Sequence, residues 1–374
     1  MYLSNIRRTL LLTTLLSSQF STSIMSSTTS TLSTNSNFVP RSLASVLVAQ
    51  KKLEGGGFPV RRPAFPGSHV HGLILLFDHM GPMTLQPGED FPGPEHPHRG
   101  FITISYHLQG HLAHYCSSGV TGIMGPGCAQ WMIAGRGVVH GGSTPDFFKK
   151  TGGQIEAFQI WINLKKKDKM IFPKYQDIMP HQLPIVKLYS NTIDNTASTS
   201  SLSTDTNAVQ GTVKLISGTF QNTTGPVETV NPVSMFDVRL QPNGNVDIPI
   251  PHGQTGVIYV YRGEAIVGSE RKVLSEGMAG ILTMEGTTLS IQTSKDAPLI
   301  DIPAPHTDIT KETESAACGI IIVFGEPINE PIYRYGPFVM NTEEEIHQAL
   351  QDYRSGKIER ESRMKPEDIK DDEL

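Results

Sequence analysis

The chain is predicted to be an all-β protein built from two antiparallel, jelly-roll-like β-barrels set face to face, with a short C-terminal helix. Three observations carry that expectation. At 374 residues it exceeds what a single hydrophobic core usually serves. Its 35 Gly and 26 Pro residues recur between short apolar runs, the spacing of strands joined by tight turns. Two sets of such runs flank a stretch, 191–207, made almost wholly of Ser, Thr, Asn and Asp, which has too little apolar surface to fold.

In chain order, residues 1–37 contain Arg7 and Arg8 but no acidic residue, then a short apolar run and a Ser/Thr-rich stretch, and are expected to be an address or a disordered lead. The apolar run from Leu10 to Leu16 is too short to cross a bilayer, so no membrane span is expected. The last four residues, Asp371-Asp372-Glu373-Leu374, resemble a retrieval signal of the endoplasmic reticulum. Together the two ends favour the ER lumen or secretory pathway. A mitochondrial or plastid transit peptide, and a plain solvated acidic tail, are the alternatives.

Residues 38–188 are expected to form the first barrel, with strands at Gly72 to Phe77, Phe101 to Leu108 and Ile155 to Ile162. A low-complexity linker is expected at 189–211. The second barrel should span 212–340, from the run Val213 to Ile216 to the run Gly319 to Phe324. In 341–374, Thr342 and Glu345 make a capping box, and Ile346, Ala349, Leu350 and Tyr353 share one helical face; the charged tail from Lys357 is expected to fray.

The balance of 31 basic against 36 acidic residues, without a dominant basic block, argues against direct nucleic-acid binding. Cys116, Cys128 and Cys318 lie in no CxxC spacing and read as small buried thiols, although Cys116 and Cys128 could pair in an oxidising compartment.

Chemistry concentrates in Pro94-Glu95-His96-Pro97-His98-Arg99-Gly100-Phe101 and in Gly135-Arg136-Gly137-Val138-Val139-His140. On an extended segment, residues two apart face the same side, so His96 and His98 can reach one ion, with His140 as a third ligand from a later strand. Neutral imidazole suits iron, copper, nickel or zinc. His114 and His79 could turn toward the same pocket, but strand histidines more often simply bond a neighbour. His252 lies within the second barrel's cluster of runs with no HxH pair beside it, and that barrel is expected to be metal-free. Arg99 and Arg136, each beside a glycine, are expected to brace turns at the barrel rim.

These segments, with Glu54-Gly55-Gly56-Gly57 to Val60-Arg61-Arg62 and Tyr335-Gly336-Pro337-Phe338-Val339-Met340-Asn341-Thr342, resemble the pirin family from about Arg41 to Ile358. The resemblance implies a bicupin with one mononuclear iron, Fe(II) or Fe(III), in the first barrel, bound by His96, His98 and His140. Other divalent transition metals could take its place. It also implies two roles: quercetin 2,3-dioxygenase-like cleavage of a small planar aromatic substrate, or binding of a protein partner as a redox-responsive transcription cofactor in the nucleus or cytoplasm. The chain departs from the family where the fourth ligand, a glutamate, is expected, because Gly142 stands there. Acidic positions of the family are also Ile102 and Cys128 here. Loss of a ligating carboxylate should weaken metal binding, about tenfold to a hundredfold or more, and leave one more coordination position open.

Overall fold

The short apolar runs pair into three main antiparallel sheets. The structure is a computed structural model that describes residues 38–190, 208–303 and 313–364. The expected address segment, most of the linker and the acidic tetrapeptide lie outside the described residues.

The first barrel closes a seven-stranded sheet over a four-stranded one. Phe101–Gln109 and Gly153–Asn163 run through the middle of the larger sheet, between Ala129–Ile133 and Ile74–Leu85. The smaller sheet orders Gly93–His98, Val138–Ser143, Leu112–Cys116 and Thr121–Met124. Side-chain alternation gives the central strand two buried faces. Ile102, Ile104, Tyr106 and Leu108 pack toward the second barrel, while Phe101, Thr103, Ser105 and His107 point into the first. The second barrel is one curled ten-stranded sheet. The shared core between the barrels joins Phe77, Trp131, Phe158 and Ile160 to Met235, Val257, Tyr259, Ile321 and Val323.

The charged groups buried in that interface are paired, whereas Trp131 Nε1 has no hydrogen-bond partner among the described residues. Asp237 accepts from the Tyr106 and Tyr261 hydroxyls, each at 2.8 Å, and pairs with Arg239 at 3.1 Å. Glu156, fully buried, takes His79 Nε2 at 2.6 Å and both oxygens accept from Arg262 at 2.7 Å. The Tyr259 hydroxyl sits 3.1 Å from His79 Nδ1. Burial would raise Glu156 on its own, but the His79 hydrogen bond and the Arg262 charge hold it below the usual carboxylate range, while burial lowers His79. The network is therefore a neutral imidazole beside a carboxylate–guanidinium pair. His79 belongs to the barrel interface, not to the pocket.

Three boundaries differ from the sequence reading. Leu43–Val48, expected in the first barrel, pairs with Met278–Leu282 of the second. Ile185–Tyr189, also assigned to the first barrel, pairs with Val209–Ser217 and belongs to the second sheet. Both are exchanges between parts distant in sequence, which composition does not encode. The tail after Lys357 holds a further helix, Lys357–Ser362, because Ile358, 1% exposed, packs beside Val139 and Phe338. The Thr342–Glu345 capping box forms as expected, at the start of the helix Glu343–Arg354. All three cysteines are buried and free, so the possible Cys116–Cys128 pairing is not made.

The C-terminal segment locks onto the strand that carries the paired histidines. Gly100 (φ 88°) lies so close to it that a Cβ would stand 2.0 Å from the Val339 carbonyl oxygen. Lys169, 1% exposed, donates to the carbonyls of Gly100 (2.7 Å) and Val339 (3.0 Å) and to Asn163 Oδ1 (2.7 Å); burial pulls its ammonium down to about 7. Arg99 bonds Asp352 at 2.8 Å and also reaches the Arg136 carbonyl. The bracing role expected of Arg99 is thus what it performs, while Arg136 lies 4.6 Å over the Phe172 ring.

Candidate metal centre

His96 and His98 share a face of Gly93–His98, and His140 stands on the adjacent strand directly opposite His96. The three ring centroids are 4.6, 4.7 and 4.8 Å apart. One ligand atom from each ring falls within 4.8 Å of the others, the only such group among the described residues. His96 Nδ1 lies 2.8 Å from the Pro94 carbonyl, so it carries the proton and leaves Nε2 as a bare lone pair. That Nε2 faces His140 Nε2 at 3.1 Å.

Burial lowers all three imidazoles, His98 well below its ordinary value with help from His140 and His96, and His140 to about 3. Neutral rings are the form that binds a metal, so the donor set fits a borderline ion such as iron, nickel, copper or zinc. His98 Nδ1 is buried without a hydrogen-bond partner among the described residues. The Phe101 ring meets His98 edge-on at 5.2 Å and Trp161 does so at 5.4 Å.

Gly142 occupies the place where the resemblance expects a carboxylate, two residues past His140. A Cβ there would meet only the Ala113 carbonyl, at an ordinary 3.5 Å. Its neighbour across the ladder is His114. The His114 ring does not join the three: its Nε2 bonds Asp177 at 3.0 Å, and it lies over Gly122 on the far side from Gly142. His252 is exposed on a turn of the second barrel.

The sequence reading missed a polar row beneath the histidines. Asp78, Gln159, Ser105, Gln130 and Asp177 are successive ladder partners across five strands of the large sheet. Arg62 pairs with Asp78 at one end, and Gln130 and His114 bond Asp177 at the other. In the middle, Ser105 and Gln159 have no side-chain partner among the described residues, yet both are half-buried on central strands. Their outer neighbours Ile104, Tyr106, Phe158 and Ile160 are fully buried against the second barrel, so their exposure opens into the barrel interior. A period-two alternation of Ser and Gln with apolar residues was the signal available, but it reads equally well as an ordinary solvent-facing edge.

His107, 3% exposed at the deep end of that interior, is pushed down to about 4 by burial and by His111 and His114. A depressed histidine binds its proton in the unfolded chain first, so its contribution is complete above about pH 6.5 and is lost as pH falls toward the folded value. His140 acts in the same direction. Metal-depleted protein should lose about 2 kcal/mol per buried histidine between about pH 7 and about pH 5, read as a falling urea midpoint whose slope His107→Gln reduces.

A double barrel with three histidines converging in one half defines a two-barrel cupin protein with one metal-type centre among the described residues. Comparisons with known proteins place it further. The family description Pirin matches residues 62–162, and Pirin C-terminal cupin domain matches 298–359. A Pseudomonas aeruginosa protein provisionally named a quercetin 2,3-dioxygenase is 32% identical, over 83% of this chain and 95% of its own. Human pirin is 31% identical, over 83% and 91%. Among solved structures, a quercetin 2,3-dioxygenase from Acinetobacter baumannii superposes with a TM-score of 0.69 at 28% identity, covering 85% of this chain and 98% of the other. The chain belongs to the pirin family.

Proposed function

We propose that this chain holds one transition-metal ion, iron in the first instance, on His96, His98 and His140, and oxidises a planar, oxygen-rich aromatic molecule of the flavonol kind within the first barrel. The observation that carries this reading is the convergence of three neutral imidazoles in the barrel whose inward row includes the part-exposed Ser105 and Gln159. The names of the Pseudomonas and Acinetobacter relatives support the substrate class.

An iron ion at this position would supply Lewis acidity toward a substrate oxygen and an electron path to dioxygen. The chain's own side chains do the rest. Trp161, part-exposed and backed by the fully buried Phe101 with ring centroids 4.4 Å apart, offers apolar surface beside His98. Ser105 and Gln159 offer a hydroxyl and an amide to ring oxygens. Among the described residues no carboxylate stands in the histidine group, so the group itself offers an incoming hydroxyl no carboxylate base. The substrate is best taken up already ionised.

Gly142 favours a second reading, a binding or regulatory protein in which the ion is weakly held. Dioxygen uptake and loss of flavonol absorbance, measured on iron-reconstituted protein beside His98→Ala, separate the two. Uptake in the parent alone is expected. Stoichiometric iron without uptake would assign the binding role.

A further inference from the structure

The C-terminal hairpin, Tyr333–Tyr335 with Phe338–Met340, sets the exposed Arg334 on Trp161, next to His98, a cation that the histidine motifs do not announce. The Arg334 guanidinium lies 4.6 Å over the Trp161 ring, whose opposite neighbours are Phe101 and His98. Its only hydrogen bonds are long, 3.4 Å to the Leu75 carbonyl and 3.4 Å to the Gly336 carbonyl. Among the described residues it has no carboxylate partner, although the other arginine of this region, Arg62, is held by both Asp78 and Glu54. The hairpin is fixed relative to the centre, because Val339 N–H donates to the Arg99 carbonyl at 3.1 Å, one residue beyond His98.

The charge balance of the site follows. Around the three neutral imidazoles, Arg334 and Arg62 are offset by Asp78 and Glu54, but both carboxylates are taken by Arg62, so Arg334 is the cation left without a direct partner, and a bound divalent ion would add to its charge. A guanidinium already stacked on an indole keeps its in-plane N–H donors free, which is the geometry that receives an oxyanion on a flat ring lying beside that indole.

We propose that Arg334 is the recognition residue for an oxyanion carried on a planar aromatic ligand, so that this pocket selects the ionised form of its substrate over the neutral one. This rests on the flavonol-type reading of the same pocket and adds the charge state to it. An ionised enol or phenol and a ring carboxylate share the required chemistry. Arg334 bonds none of the three histidines, so its replacement removes no ligand, and zinc is held at saturation and its content measured for each variant, so that ligand binding is compared at equal metal content.

The test is equilibrium binding by quenching of tryptophan fluorescence, without oxygen, on full-length protein loaded with redox-inert zinc. Quercetin is titrated below and above the ionisation of its hydroxyls, and its fully O-methylated ether, which has no hydroxyl left to ionise, and 2-naphthoate are titrated in parallel. For the parent, tighter quercetin binding in the ionised range is expected. Arg334→Gln should weaken ionised quercetin by about tenfold or more, the scale of a lost charge-assisted hydrogen bond, and leave the methyl ether unchanged. Arg334→Lys should recover part of the loss, which shows that charge and not folding is at issue. Naphthoate binding that depends on Arg334 would assign carboxylates to the ligand class, and its absence would restrict the class to enolates and phenolates. Equal weakening of the charged and neutral ligands by Arg334→Gln would overturn the proposal and leave the flavonol reading standing. No binding of any flavonoid to the parent would overturn both.

Discussion

Alanine at His98 should reduce bound metal to background, whereas glutamate at Gly142 should raise metal affinity by about tenfold to a hundredfold. His98 is 2% exposed, and its ring centroid lies within 4.8 Å of both other ligand rings, so no other described side chain can move into its place without disturbing the wall formed by Phe101 and Trp161. The glutamate prediction rests on space and on charge. Gly142 is not in the left-handed region, and a Cβ there makes only an ordinary contact with the Ala113 carbonyl. It also shares a strand with His140 at the two-residue spacing that repeats a face. A carboxylate added there would offset part of the charge of a divalent ion that three imidazoles leave whole. Metal content by mass spectrometry, with competition against a chelator, checks both variants. If Gly142→Glu binds metal no better than the parent, another group completes the coordination and the site is not short of a ligand.

The second large effect is expected between the barrels. Glu156→Ala should destabilise the protein by about 2–3 kcal/mol, because it removes the acceptor of the buried His79 and leaves the part-buried Arg262 with only Glu276, 4.0 Å away, as a carboxylate partner. Chemical denaturation followed by far-UV circular dichroism beside tryptophan fluorescence, which reports only the first barrel through Trp131 and Trp161, would show it, and weakened coupling would separate one transition into two as the barrels unfold independently. Replacing the pair together, as Glu156→Leu with Arg262→Met, should recover much of the loss, since a charge pair exchanged for apolar contact is often close to neutral. If the double variant is as unstable as the single one, shape at the interface and not the unpaired charge governs the site.

Much of this was legible in the linear sequence because it depends on local period and spacing. Alternating apolar residues around Phe101–Gln109 and Gly153–Asn163 specify strands, and the Thr342–Glu345 pair specifies a helix start, since the groups that satisfy each other lie within a few positions. The HxH pair and its partner His140 were readable for the same reason, as was the glycine at 142. Other features required the folded chain. Pairing of Leu43–Val48 with Met278–Leu282, the row from Asp78 to Asp177, and Arg334 over Trp161 join residues far apart in sequence, and each is fixed by which strands become neighbours. Sequence by itself determined that this chain builds two barrels with three histidines able to meet. Only tertiary structure decided that His114 turns to Asp177 and that Ser105 and Gln159 open inward, because a strand's alternation names two faces without saying which one is covered.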